Sequence, residues 1–154
     1  MIRITRQTDY GILLLSHMAN RPESEVHTAK NVAALSKISF PMVSKILKAL
    51  ARAGFLVSQR GVNGGYRLAT HASRISIGDV IEALEGPIGI TECSAHPGVC
   101  EQEGHCPVQS NWQRISLAMR DALEKIPISE LNRPSMHQPD FHQIGVTPHT
   151  ARPL

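Results

Sequence analysis

The sequence predicts a mainly α fold with a small β-hairpin, a winged helix-turn-helix followed by a long dimerisation helix. Three observations carry that expectation. Residues 28–52 hold two short amphipathic segments joined by a tight turn, and the outer face of the second is basic. A Gly-rich hairpin pattern follows at once, over residues 55–69. Farther along, Val108, Trp112, Ile115, Met119, Ala122 and Ile126 recur at alternating steps of four and three, the spacing of a coiled-coil-like seam.

The chain has 154 residues and is 42% hydrophobic, enough for one domain with a real core or a small domain with appendages. Its longest candidate apolar run, Ile12–Leu15, is far short of a membrane span. Residues 1–6 have no long apolar region behind them and no cleavage site. A cytoplasmic protein with no membrane partner is therefore expected. The net charge of +3 hides a split. Residues 1–75 carry 11 of the 16 Lys and Arg and 3 of the 13 Asp and Glu, a net +8, whereas residues 76–154 carry 5 and 10, a net −5. A basic first half suggests contact with a polyanion.

The first helix is expected from about Thr8 to Ala19, with Tyr10, Leu13, Leu14 and His17 on one face. Asp9 falls in its first turn, where a carboxylate suits the positive end of the helix dipole. Thr28 can cap a helix through Ser36 with Val32 and Leu35 facing inward. Lys37-Ile38-Ser39 then makes a short turn, Ser39 is suited to N-cap the next helix, and Pro41 fits its first turn. That helix carries Val43, Ile46, Leu47 and Leu50 on one face and Ser44, Lys45, Lys48 and Arg52 on the other, and Gly54 ends it. Residues 55–60 read as a strand and residues 66–69 as its return, around the loop Gly61-Val62-Asn63-Gly64-Gly65. The Asn63-Gly64 pair is expected to supply the positive φ angles of that loop. A helix-turn-helix followed by a β-hairpin is a winged helix. In it Thr28, Ser39, Pro41, Ser44, Lys45 and Lys48 would approach major-groove edges and phosphates. Arg60, Asn63 and Tyr66 would meet the minor groove from the wing, and the bare backbone of Gly61, Gly64 and Gly65 would allow close approach to phosphate.

Residues 76–86 read as a short helix closed by Gly86, and residues 87–107, rich in Gly, Pro, Cys and His, as a loop. Residues 108–126 form the long helix. A small winged helix has little room to bury another long seam, so the seam points to a homodimer, which suits DNA with two half-sites. Residues 134–154, with Pro134, Pro139, Pro148 and Pro153, read as a disordered tail in which His137, His142 and His149 are solvated linker residues. The expected division is thus a DNA-binding domain over 1–75, a short helix and cysteine loop over 76–107, a dimerisation helix over 108–132 and a tail over 133–154.

All three cysteines lie in that loop, spaced Cys93-x6-Cys100-x5-Cys106. An odd, tight group in an intracellular chain points to a metal or redox site rather than to disulfides. Three soft ligands suit an iron–sulfur cluster first and zinc second, with non-ligand redox cysteines as the third reading. The spacing lacks the Cys-x2-Cys knuckle usual for structural zinc. A cluster commonly takes four ligands, and His96, Glu101, Glu103, His105 and Gln109 are near, while Asp9 is remote and would act across a dimer.

Taken together these residues resemble the IscR/NsrR/RirA family of bacterial iron–sulfur transcription regulators, over about residues 1–132. The resemblance rests on Arg3-Ile4-Thr5 with Thr8-Asp9-Tyr10, on Ile38-Ser39 with Val43-Ser44-Lys45-Ile46-Leu47, and on the wing from Arg60 to Leu68. It continues through Ile77-Gly78-Asp79-Val80-Ile81 and the three cysteines. Cys106-Pro107-Val108-Gln109, Trp112 and the stretch from Ile126 to Leu131 are most similar to the branch that regulates the SUF cluster-assembly operon. The resemblance implies homodimers that set a recognition helix in the major groove and a wing in the minor groove, with cluster state tuning DNA binding. Members similar to IscR place a histidine three residues after the third cysteine, where this chain has Gln109. Members similar to NsrR complete the site with an aspartate from the other subunit, at the position of Asp9. The resemblance therefore implies Asp9 as the fourth ligand, with His105 second, and favours a 4Fe–4S cluster over a 2Fe–2S one. Ser44 stands where IscR has a glutamate that helps choose operators, so the operator is not carried over. The expected function is a repressor that senses cluster status and controls cluster-assembly genes. The alternative is a winged-helix regulator with a structural zinc or redox-cysteine site. An enzyme is not expected, since the chain has no Cys-x2-Cys pair, no Gly-rich nucleotide loop and only 4% aromatic residues.

Overall fold

The computed structural model describes residues 3–131, so the expected tail, with its three histidines, lies outside the described residues. The order is α1 (Arg6–Ala19), α2 (Ala29–Ser36), α3 (Phe40–Arg52), β1 (Leu56–Gln59), β2 (Gly65–Leu68), α4 (Ile77–Glu85), α5 (Glu92–Ala95) and α6 (Gln109–Glu124). Short 3₁₀ turns lie at Ala72–Arg74, Glu103–His105 and Ile128–Glu130. The mainly helical chain with one antiparallel hairpin is the winged helix that the sequence predicts.

Helix α1 starts two residues earlier than expected because the Thr5 hydroxyl accepts a hydrogen bond from the Thr8 amide. Its buried stripe is Gly11, Leu14, Leu15 and Met18, while Leu13 is exposed, so the expected face is rotated by about one position. Thr28 caps α2 as expected, accepting from the Asn31 amide at 3.1 Å. Val32 is buried but Leu35 is 57% exposed, because the core reaches only one line of this two-turn helix. Lys37 turns the chain in the left-handed conformation, at φ 58°. Ser39 sits at the N-cap of α3 but its side chain makes no capping hydrogen bond. The strands pair Leu56 with Leu68 and Ser58 with Tyr66, which turns the two leucines inward.

One core gathers the chain. Leu14 and Leu15 of α1, Val32 of α2, and Val43, Ile46, Leu47 and Leu50 of α3 are at most 1% exposed. Ile75, Val80 of α4 and Ile128 join the same cluster. Each such side chain contributes roughly 1.5–3 kcal/mol relative to exposure. The return of the chain after α6 is fixed by backbone pairing: the Ile77 amide donates to Ile126 at 2.9 Å and the Ile128 amide to Ile75 at 2.8 Å. Helix α4 opens with a capping box in which Ser76 and Asp79 bond each other's backbone, and it ends at Gly86. No helix among the described residues is long and apolar enough to cross a membrane.

Candidate nucleic-acid interface and cysteine loop

Helix α3 buries Val43, Ile46, Leu47 and Leu50, and this stripe forces the polar side chains of the same helix outward. Lys45, Lys48 and Arg52 are exposed, and Ser44 is half-buried. Lys45, Lys48 and Arg52 line a groove of about 460 Å³ together with Ala51, Ser58 and Tyr66. Helix α3 and the hairpin thus share one basic concavity, a shape and charge suited to a phosphate backbone. Arg52 and Ser58 extend the set expected from sequence. Arg52 was legible there as a cation one turn beyond Lys48, whereas Ser58 had no signal, since only its pairing with Tyr66 brings it to the groove.

Ser39 and Pro41 are exposed at the leading end of α3. Thr28 is half-buried, and its hydroxyl oxygen is engaged in capping α2. In the wing, Arg60, Gly61 and Asn63 are exposed, and Gly64, Gly65 and Tyr66 are half-buried. The wing turn differs from expectation. The Gly64 amide donates to the Gly61 carbonyl at 2.9 Å, and the positive φ, 109°, belongs to Gly61 rather than to Asn63 and Gly64. The four-residue turn closes one position earlier because β2 already begins at Gly65. Gly64 and Gly65 have intramolecular reasons to lack a side chain: a Cβ would fall 2.5 Å from the Gln59 carbonyl oxygen and 2.6 Å from the His27 carbonyl oxygen, respectively.

The close approach at Gly65 reflects a third backbone segment beside the hairpin. His27 and Tyr66 exchange both backbone hydrogen bonds, at 2.8 and 2.9 Å. His27 is buried, and that burial holds its imidazole below the ordinary value; His17 and Arg21 push the same way, and Glu25, 3.7 Å away, opposes them. A neutral His27 beneath the wing keeps this junction free of a buried charge.

The cysteine loop is fastened at two places. Ser116, the buried residue of α6, accepts from the Ile90 amide at 3.1 Å and donates to the Ser94 hydroxyl at 2.9 Å. Ser94 in turn donates to the Thr91 carbonyl at 2.8 Å. This hydroxyl chain seats α5, and with it the buried Cys93, against α6; the Thr91 hydroxyl lies 3.3 Å from Cys93 Sγ. At the second place the Glu103 carboxylate accepts from the Gly98 amide at 2.6 Å and from the Gln109 side chain at 2.8 Å. Cys100 and Cys106 are half-buried on either side of Glu103, and all three cysteines are free of disulfides. His105 and Asp9 are exposed, Asp9 far back in the chain on α1. Among the described residues no three His, Cys, Asp or Glu side chains converge closely enough to hold a metal ion. The fold therefore puts the three thiols on one fastened loop without gathering them, or Asp9 or His105, into a ligand set within one chain.

Of the predicted seam, Trp112 and Ile115 on α6, Val108 at its N-cap and Ile126 just beyond its end are each between 36% and 46% exposed. Arg120 ties this helix to α4 through Glu82 at 2.6 Å and pairs with Glu124 at 3.2 Å.

Residues 4–134 match the family model described as Rrf2, iron-dependent transcriptional regulator. The chain belongs to the Rrf2 family. Among its Rrf2 relatives is Protein rrf2 of Nitratidesulfovibrio vulgaris, 28% identical over 148 residues that span 96% of this chain and 98% of that one. Among solved structures, CymR, the global cysteine regulator of B. subtilis, superposes with a TM-score of 0.67 at 27% identity, over 85% of this chain and 96% of CymR. T. potens IscR shares the fold at 20% identity, with a TM-score of 0.63 over 99% of this chain and 94% of IscR. Rrf2 membership makes this chain a DNA-binding transcription regulator and not an enzyme. The resemblance read from the wing and the cysteine spacing is to this same Rrf2 group.

Proposed function

We propose that this Rrf2 regulator is a cytoplasmic homodimeric repressor that senses iron–sulfur cluster status and controls cluster-assembly genes of the SUF type. The observation that supports this reading is the placing of three unpaired thiols, Cys93, Cys100 and Cys106, on a loop fastened between the α4 that packs on the DNA-binding core and the α6 that carries the exposed seam. The three thiolates would hold the cluster, with Asp9 of a second subunit as fourth ligand and His105 as the alternative. A cluster would supply an oxidant- and iron-sensitive bond set whose gain or loss reorders the loop. Lys45, Lys48 and Arg52 would meet phosphates, Ser39, Pro41 and Ser44 base edges, and Arg60, Gly61, Asn63 and the rest of the wing the minor groove of a double-stranded operator with two half-sites. Thr28 would contribute through its backbone position at the start of α2.

A second reading has its own support. Because the thiols stand apart among the described residues, a regulator that works through thiol oxidation is the alternative, with a structural zinc, which like a cluster would have to draw the thiols together, as its variant. An anaerobic visible spectrum with iron and sulfide assays separates the two. A 4Fe–4S centre gives a broad blue-violet band with four irons and four sulfides per subunit, and replacing Asp9 by Ala then destabilises it. Half that content, with a structured red-brown spectrum, indicates 2Fe–2S and raises His105. A protein that stays colourless after reconstitution with iron and sulfide overturns the cluster reading and leaves the DNA-binding one standing.

A further inference from the structure

Phe40 is out of place by the rules that govern the rest of α3. It is the first residue of the helix, its ring is 53% exposed, and it stands apart from the apolar residues packed on the core. Phe55, by contrast, packs against that core. Side chains on a helix lean toward its N-terminus, so the ring of the first residue overhangs the leading end of α3. The end of the helix beside it is open: Ser39 makes no capping bond, and Pro41 has no amide hydrogen. Behind it the exposed face of the helix is basic, with Lys45, Lys48 and Arg52. An apolar ring at the tip of a cationic helix therefore points at a surface that is anionic along its flanks and apolar at one spot.

Duplex DNA offers one such spot in the major groove. Every base edge there presents hydrogen-bonding atoms, and only thymine adds an apolar group, its C5 methyl. A phenyl ring laid on any other edge would strip water from donors or acceptors without replacing it. We propose that Phe40 is a specificity-determining residue that selects a thymine methyl in each operator half-site. The inference rests on α3 being the recognition helix, and it assigns to an apolar contact a part of the sequence choice that Ser44 and its polar neighbours would otherwise carry alone.

The test begins by selecting duplexes from a randomised library with the full-length protein, as isolated and after metal removal, and with Phe40→Ala. In the winning site each thymine is then replaced in turn by deoxyuridine, which lacks only the methyl. The wild type should lose affinity about fourfold at one thymine per half-site, the weight of one buried methyl. Phe40→Ala should be indifferent to that replacement, and Phe40→Leu should keep part of the discrimination. Circular dichroism of both variants controls for folding. The inference is overturned if the wild type ignores the methyl at every thymine, or if Phe40→Ala remains as sensitive as the wild type; either result would leave the ring to contact a protein surface. Failure to select any sequence would instead remove α3 as a reader of DNA, and this inference with it.

Discussion

At Gly65 the fold leaves no space for even a methyl group, because the backbone of His27 crosses directly over it. Gly65→Ala should therefore push His27 off β2 and cost about 1–3 kcal/mol, the usual penalty of overpacking. Gly104, with open space around it and no left-handed backbone, provides the control. Gly104→Ala should change stability by less than about 0.5 kcal/mol. Chemical denaturation of the two variants decides the matter, and equal effects would show that the His27–Tyr66 pairing is not what the glycine serves. The sequence made Gly64 and Gly65 visible as a turn signal, and the reading of them as room for phosphate followed naturally. The crowding of Gly65 by His27 was hidden, since a contact between residues so far apart in the chain leaves no local pattern, and that of Gly64 by Gln59 follows from a turn whose closing point the sequence placed one residue later.

Among the helices, the residue that caps α1, Thr5, is itself held by a residue 80 positions away. Glu85, in the last turn of α4, accepts from the Thr5 amide at 2.7 Å. Burial alone would raise its carboxyl, but hydrogen bonds from the Thr8 side chain and from Thr5 outweigh that and hold it below the ordinary value of 4.5. A depressed carboxyl pKa favours the fold above the unfolded value, and that favour fades as pH falls through the lower folded one. Glu85→Ala should cost about 1 kcal/mol at neutral pH, as loss of a cap does, and the gap from wild type should shrink in acid. Thermal melts at several pH values would reveal it; a gap independent of pH would rule out the carboxylate as the cap. The local cap Thr28 was legible, because a hydroxyl three residues ahead of a free amide is a short-range signal, although the same signal at Thr5 was passed over for a start at Thr8. The distant cap was not, and neither was α5, whose single turn depends on Ser116 of α6 reaching back to Ser94. The cysteines drew attention by their spacing, but where Cys93 lies depends on those same hydroxyl bonds, and the stretch from Cys100 to Cys106 is held instead by the Glu103 carboxylate.

Across the molecule, the proposed dimer rests on a basic groove and on an uncovered apolar seam on and beside α6. Ile115 and Trp112 on that seam would be covered by a second α6. Ile115→Glu should convert a dimer to a monomer in analytical ultracentrifugation. Operator affinity should then fall by roughly 100-fold, since two linked half-site contacts become one. A variant that remains dimeric would show that another surface pairs the subunits. The seam was readable because a seven-residue alternation survives whether or not its partner is present. The charge split was equally plain, since it needs no geometry.

The backbone pairing of Ile77 with Ile126 has a mechanical meaning. It sets the two ends of a fifty-residue excursion side by side, and within that excursion α4 is fixed to the winged-helix body through Val80 and the Glu85–Thr5 bond, so that α5, the cysteine loop and α6 are what projects from it. Ile75 and Ile128, which flank the pairing, are buried in the same core as Val80. Material can be added to or taken from the middle of the excursion without prising the pairing apart. A change of chemistry in the proposed sensing loop would leave that body intact, while any tension it generated would reach the wing through α4 and the core that α4 shares with α1 and α3.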